Sequence, residues 1–297
     1  MAIIFVFIDG IGLTTASNDN PFATTAMPYM QSLIGGPLLS DAVGQHRQAL
    51  LLAVDACFSV PGLPQSGTGQ TALFAGIDAV GLVQRHQSHF PPTALQQTLR
   101  ERSVLRRALV HGSSTFANAF DGGFWEAIAT RKIRKSASVI AAEGADVRFR
   151  GIAELATGQA LSWDITNDVM QARHPDRVQT IDAYDAGVNL ARLAQGHVMT
   201  LYETFLTDLV GHGRSNIDAG TVVTRIDRLI GGIVATMRPQ DSLVMSSDHG
   251  NFECQSDPSH TRNPVPLLVV GPACDTLHEV RDISNIADAL ERVMRPE

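Results

Sequence analysis

Residues Ile3–Ile8 form an unbroken apolar run that ends at Asp9-Gly10. A strand buried on both faces carries such a run, whereas a half-buried strand alternates. Three later segments share the design. Residues 198–202 lead to Glu203 and then Thr207-Asp208, Ser242–Ser246 lead to Ser247-Asp248-His249, and Val265–Val270 follow His260. Between the first two, residues 218–237 place Val223, Ile226, Ile230, Ile233, Val234 and Met237 at spacings of three and four, ahead of Pro239. That spacing predicts a helix with one buried face, stopped by the proline. Strands alternating with a helix predict an α/β fold with a mainly parallel sheet, whose ligands gather at the carboxyl ends of strands.

The middle of the chain reads differently. From about 91 to 196 no apolar run ends in an acid–His cluster. Residues 92–195 hold thirteen Lys and Arg against eleven acids, while the rest of the chain, with a total of −7, is left at −9. We therefore expect a catalytic core of 1–91 and 196–297 and a smaller cap domain, 92–195, inserted into it. The 297 residues are 44% hydrophobic and 18% charged, which supports a large core and excludes a disordered chain. The acidic balance argues against nucleic acid as a partner. No apolar run approaches the roughly 20 residues of a membrane span. The first run follows no basic segment, so it reads as a strand and not a signal peptide. Three cysteines (Cys57, Cys254, Cys274) are too few and too irregular for a disulfide framework, which suits a cytoplasmic location.

Four patches carry metal-ligand chemistry, which needs carboxylate oxygen or neutral imidazole at close range. They are Asp9 at the end of the first strand, Asp208 with His212 four residues on, adjacent Asp248 and His249, and His260 before the last strand. Three Asp and three His suffice for two ions if a further ligand bridges them. Gln65-Ser66-Gly67-Thr68-Gly69 runs into a plausible helix, so Thr68 would lie near a helix N-terminus, where an anion is favoured. A metal-bound Thr68 hydroxyl could act as nucleophile; Ser66 is the alternative.

The patches as a set resemble the metalloenzyme branch of the alkaline phosphatase superfamily, which includes cofactor-independent phosphoglycerate mutase and phosphopentomutase. Ile8-Asp9-Gly10, Asp208-x-x-Gly211-His212, Asp248-His249-Gly250-Asn251-x-Glu253 and His260-Thr261 carry the resemblance. It covers the core and not the cap. It implies two divalent ions, manganese or zinc, one held by Asp208, His212 and His260, the other by Asp9, Asp248, His249 and the Thr68 hydroxyl. Thr68, placed by counting back eight residues from Gly76, would be transiently phosphorylated. The mutases' Asn-Ser-Glu-x-Gly-His is replaced here by Gly67-Thr68-Gly69-Gln70-Thr71-Ala72, which favours hydrolysis of a phosphomonoester over mutase chemistry. A small phosphorylated metabolite, sugar phosphate or phosphoglycerate-like, is the expected substrate. A non-catalytic metal-binding relative is the competing reading.

Three further signals are weaker. The basic run 131–135, with Arg131 and Arg134, could steer an anion, and Arg214 could touch substrate. His86 and His89 read as the hinge into the cap, and Tyr202 and Glu203 as support for the neighbouring ligands.

Overall fold

The computed structural model describes residues 1–295. Its strands are β1 (Ile3–Ile8), β2 (Gly44–Gln45), β3 (Ala49–Val54), β4 (Ser114–Phe116), β5 (Met199–Thr204), β6 (Ser242–Ser246) and β7 (Val265–Val270). They form one sheet in the order β2-β3-β7-β6-β1-β5-β4. Strands β6, β1, β5 and β4 are mutually parallel. β7 is antiparallel to both β6 and β3.

Helices cover both faces, which is why β1 is apolar throughout. Ile3, Phe5 and Phe7 pack on one side with α2 (Ser66–Ala75), α3 (Gln96–Arg102), α4 (Val104–Ala108), α5 (Ala137–Gly144) and α9 (Asn285–Met294). Ile4, Val6 and Ile8 pack on the other with α1 (Pro28–Ile34), α6 (Ala183–Ala194) and α8 (Ala219–Thr236). Helix α8 lies where the periodicity predicts it, capped by Asp218. The carboxylate of Asp227, on the inner face of α8, accepts from the Tyr29 and Met30 amides at 3.2 and 2.8 Å and so caps α1 across the fold. One further short helix, α7 (Leu206–Gly211), follows β5. No helix among the described residues is long and apolar enough to cross a membrane.

The expected cap boundary needs correction. Residues 92–195 do not form a separate inserted unit, because β4 is an edge strand of the sheet and α3, α4 and α5 contribute to the first core cluster. Helix α6 lies against α8 so closely that a Cβ on Gly187 would fall 2.1 Å from the Leu229 carbonyl. Three strand residues are too few to show a pattern, which hid β4 from the sequence reading. Within this stretch a small cluster (Ala119, Ile152, Leu155, Ala160, Met170, Val178) is separate from the two large core clusters.

The Gly187 crossing makes a prediction. Gly187→Ala should destabilise the whole protein by about 1–3 kcal/mol or more, read as a lower urea midpoint in a single transition. A helix belonging to an independent cap would instead give a separate transition.

Candidate functional site

The topology collects the chemistry at one sheet edge. Asp9 follows β1, Asp248 and His249 follow β6, and Asp208 sits in the first turn of α7 just beyond β5. Because β7 runs antiparallel, its start lies at that same edge, and His260 precedes it. His249 Nε2 is 3.2 Å from Asp9 Oδ1 and 3.6 Å from Asp248 Oδ2. His212 Nε2 is 3.2 Å from Asp208 Oδ1 and 3.1 Å from His260 Nε2, and His260 Nε2 is 3.7 Å from Asp208 Oδ1. All six expected ligands therefore meet. Five of them form two sets that share His249, namely Asp9, Asp248 and His249, and Asp208, His249 and His260; His212, expected with Asp208 and His260, lies beside the second set and not within it.

Each imidazole is aimed by its other nitrogen. Nδ1 of His212 lies 2.7 Å from the Pro258 carbonyl, Nδ1 of His260 2.6 Å from the Pro64 carbonyl, and Nδ1 of His249 3.3 Å from the Gly250 carbonyl. A carbonyl accepts only from N–H, so in each ring Nδ1 carries a proton and Nε2 is the nitrogen turned to the centre, where a cation would displace any proton it holds. Asp9 Oδ1, Asp208 Oδ1 and Asp248 Oδ2 are buried with no hydrogen-bond partner. Burial pushes the Asp9 carboxyl well above the usual range, and Asp248 and Asp208 add to the shift. Burial pulls His249 down, but Asp248 and Asp9 outweigh it and drive the ring up to about 10. Burial and the neighbouring His249 push His260 down to about 4. Converging orphan carboxylate oxygens and lone-pair nitrogens are the donor chemistry that divalent cations satisfy.

Of the two candidate hydroxyls, Ser66 and not Thr68 lies at the cluster. Thr68 is fully buried, and its hydroxyl donates to the Gln65 carbonyl at 3.3 Å and accepts from the Gln87 amide at 3.1 Å. Ser66 instead places Oγ 2.9 Å from His249 Nε2. Two residues on an α-helix are about 200° apart, so Ser66 and Thr68 cannot face the same site. Gln70, one turn beyond Ser66, shares its side and donates to Asp9 Oδ2 at 3.0 Å. A Cβ on Gly69 would fall 2.8 Å from the Asp248 carbonyl, so glycine there lets α2 press against the ligand loop.

Among the cations, Arg134 lines the cavity above Ser66, and Arg214 lines a smaller pocket beside His212 and His260. Arg131 is exposed and lines neither. His89, read from sequence as part of a hinge, lines both. Glu253 has more to do than its motif suggested. Its carboxylate accepts from the Gly12 and Asn251 amides at 2.8 and 2.9 Å, from Asn263 Nδ2 at 2.9 Å, and from the Thr261 hydroxyl. One side chain thus ties together the segments carrying Asp9, Asp248–His249 and His260. Gln70 gave no sequence signal, because its role depends on a neighbour 61 positions away.

Glu203 lies at the cavity wall, where burial pushes its carboxyl up to about 7; Ser138 opposes the shift and Asp248 reinforces it. Below its ordinary value of 4.5 the group is protonated whether folded or not. Between 4.5 and about 7 the unfolded chain ionises first, so this group's contribution to stability falls as pH rises and is gone above about 7. The full loss amounts to about 3 kcal/mol from the shift. Glu203→Gln should flatten that decline, so that the gain in melting temperature over native protein grows from pH 5 to pH 8. An equal gain at both values would refute the assignment.

A family model described as the metalloenzyme superfamily matches residues 176–294. The 2,3-bisphosphoglycerate-independent phosphoglycerate mutase of Rhodopseudomonas palustris is 37% identical over 98 residues, which is 29% of this chain and 18% of that protein. The phosphopentomutase of Syntrophotalea carbinolica is 36% identical over 84 residues, 28% of this chain and 21% of that protein. The matched stretches thus span about a fifth of these curated relatives. Among solved structures, the alkaline phosphatase from the Antarctic bacterium TAB5 aligns over 99% of this chain and 97% of its own, with a TM-score of 0.56 at 13% identity. A cold-active alkaline phosphatase from Shewanella sp. aligns over the whole of both chains, with a TM-score of 0.55 at 13% identity. The chain is thus similar to the metalloenzyme superfamily over residues 176–294, and its fold is that of the alkaline phosphatases.

Proposed function

We propose that the protein transfers phosphoryl groups from phosphomonoesters to Ser66 and then to water. The observation that carries this reading is the Ser66 hydroxyl at the start of α2, 2.9 Å from His249 Nε2, the atom the two ligand sets share. Divalent cations held there, manganese or zinc, would lower the pKa of the Ser66 hydroxyl and neutralise phosphate oxygens. The remaining work falls to the chain. Helix α2 has no side-chain cap; the Thr68 amide is taken by the Gln87 carbonyl at 3.1 Å, which leaves the Ser66 and Gly67 amides for an anionic phosphate. Gln70 orients Asp9, and Glu253 keeps the three ligand-bearing segments in register. Arg134 and Arg214 stand on the approaches as counter-charges for phosphate.

Return of the phosphoryl group to a second hydroxyl of the same substrate is the alternative, favoured by the two mutases among the relatives. The local sequence Ser66-Gly67-Thr68-Gly69 departs from the mutase pattern and favours water. Labelled phosphate separates the two: release into solvent marks hydrolysis, and retention on an isomerised product marks the mutase.

Ser66→Ala should lower phosphate release by at least about a thousandfold with metal content intact, while Thr68→Ala keeps turnover within about tenfold and loses about 1 kcal/mol of stability. The opposite order would return the nucleophile to Thr68. Elemental analysis at saturation should find two ions per chain, and their removal by chelation should abolish turnover and lower the melting temperature. One ion per chain would refute the two-site assignment.

A further inference from the structure

The cavity above Ser66 encloses about 720 Å³. Asp9, Ser66 and Asp208 form its floor, so whatever fills it sits against the reacting atoms. Its walls are mostly apolar. Trp163 and Phe205 stack with ring centres 4.3 Å apart and planes within 11°. Phe120 and Phe124 meet at 4.5 Å on another wall, and Ile133 and Met170 complete the apolar lining. These four aromatic rings are only half-buried, so they leave apolar area facing the cavity.

Most polar groups in the lining already have partners. Asn118 donates to the Glu203 carbonyl at 2.8 Å and accepts from the Glu203 amide at 2.9 Å. Gln70 is bonded to Asp9. Asp121 caps a helix by accepting from the Phe124 amide at 2.8 Å and pairs with Arg173 at 3.4 Å. Arg134, whose guanidinium lies 5.4 Å from the centre of the Phe90 ring, keeps its N–H groups for the phosphate end. A polyhydroxylated substrate would bury hydroxyl groups with few partners here, and each unpaired one is costly. A flat apolar group would cover the exposed rings instead.

We infer that the preferred substrate is a phosphomonoester whose alcohol carries a flat apolar ring system seated between these aromatic walls, not a sugar phosphate or phosphoglycerate. The inference rests on the phosphoryl-transfer reading above for the phosphate end. The apolar end is independent of it, and the two are tested separately.

Binding is measured by calorimetry on the manganese-loaded Ser66→Ala protein, and turnover on the manganese-loaded native protein. The probes are 2-(2-naphthyl)ethyl phosphate, ethyl phosphate and ribose 5-phosphate, all esters of primary alcohols, so leaving-group chemistry is closely matched. The naphthylethyl ester should bind at least about tenfold more tightly than either other ester, the scale expected from burying one ring system. Trp163→Leu and, at the exposed rim, Ile133→Ser should each erode that ratio. The rim variant alters a side chain that is 40% exposed, so it is the safer one for folding. Equal or tighter binding of ribose 5-phosphate, or a ratio untouched by both variants, overturns the inference. Selective naphthylethyl binding without phosphate release from any ester upholds the pocket and overturns the catalytic reading. Phosphate release from the small esters without naphthylethyl selectivity does the reverse.

Discussion

Three carboxylates aimed at one another inside a protein are the constraint on which the rest of this structure depends. Asp9, Asp208 and Asp248 come from three separate strand ends, and each leaves one buried oxygen without a hydrogen bond. Like charges at this range repel, and burial removes the water that would screen them. The surroundings hold them in place. Glu253 links three loops, the backbone carbonyls of Pro64, Pro258 and Gly250 turn the imidazoles inward, and α2 presses on the Asp248 loop through Gly69. The stability of the sheet and helices is what keeps the site repulsive until a cation relieves it.

Much of this was readable in the sequence, for identifiable reasons. A six-residue apolar run followed by Asp-Gly states both the double burial of β1 and the turn at its end. The long period of α8 locates a core helix. Asp208 and His212 stand one helical turn apart, and adjacent Asp248 and His249 occupy a loop, so their chemistry is carried by local spacing. What failed was not local. Counting residues back from Gly76 chose Thr68, because a count ignores helical phase, and two residues turn the side chain away. β4, only three residues long, carries no period, so a stretch belonging partly to the core passed for a domain. The partnerships of Gln70 with Asp9 and of Asp227 with α1 depend on residues 61 and about 200 positions away.

The aromatic cavity shows a different division of labour. Residues on the sheet edge supply the polar groups that, on the proposed function, would meet phosphorus. Residues between β4 and α6 supply most of the walls. Strand ends are held by hydrogen-bond ladders on both sides, so the reacting groups are set by the core. The walls come from short helices and turns, where sequence can vary without disturbing the sheet. Fold and chemistry can therefore persist while the shape of the accepted alcohol changes.

The antiparallel setting of β7 has a consequence for how the protein forms. Asp9 is among the first residues of the chain and His260 among the last forty, yet they serve one centre. Sheet neighbours β1 and β6 are joined through more than two hundred intervening residues. Such closure is entropically expensive and comes late in folding. A cation consequently cannot act as an early nucleus, as it does in small zinc modules. On the proposed ligand set, a cation would find its donors together only after β1, β6 and β7 have docked, so metal occupancy would report an assembled sheet.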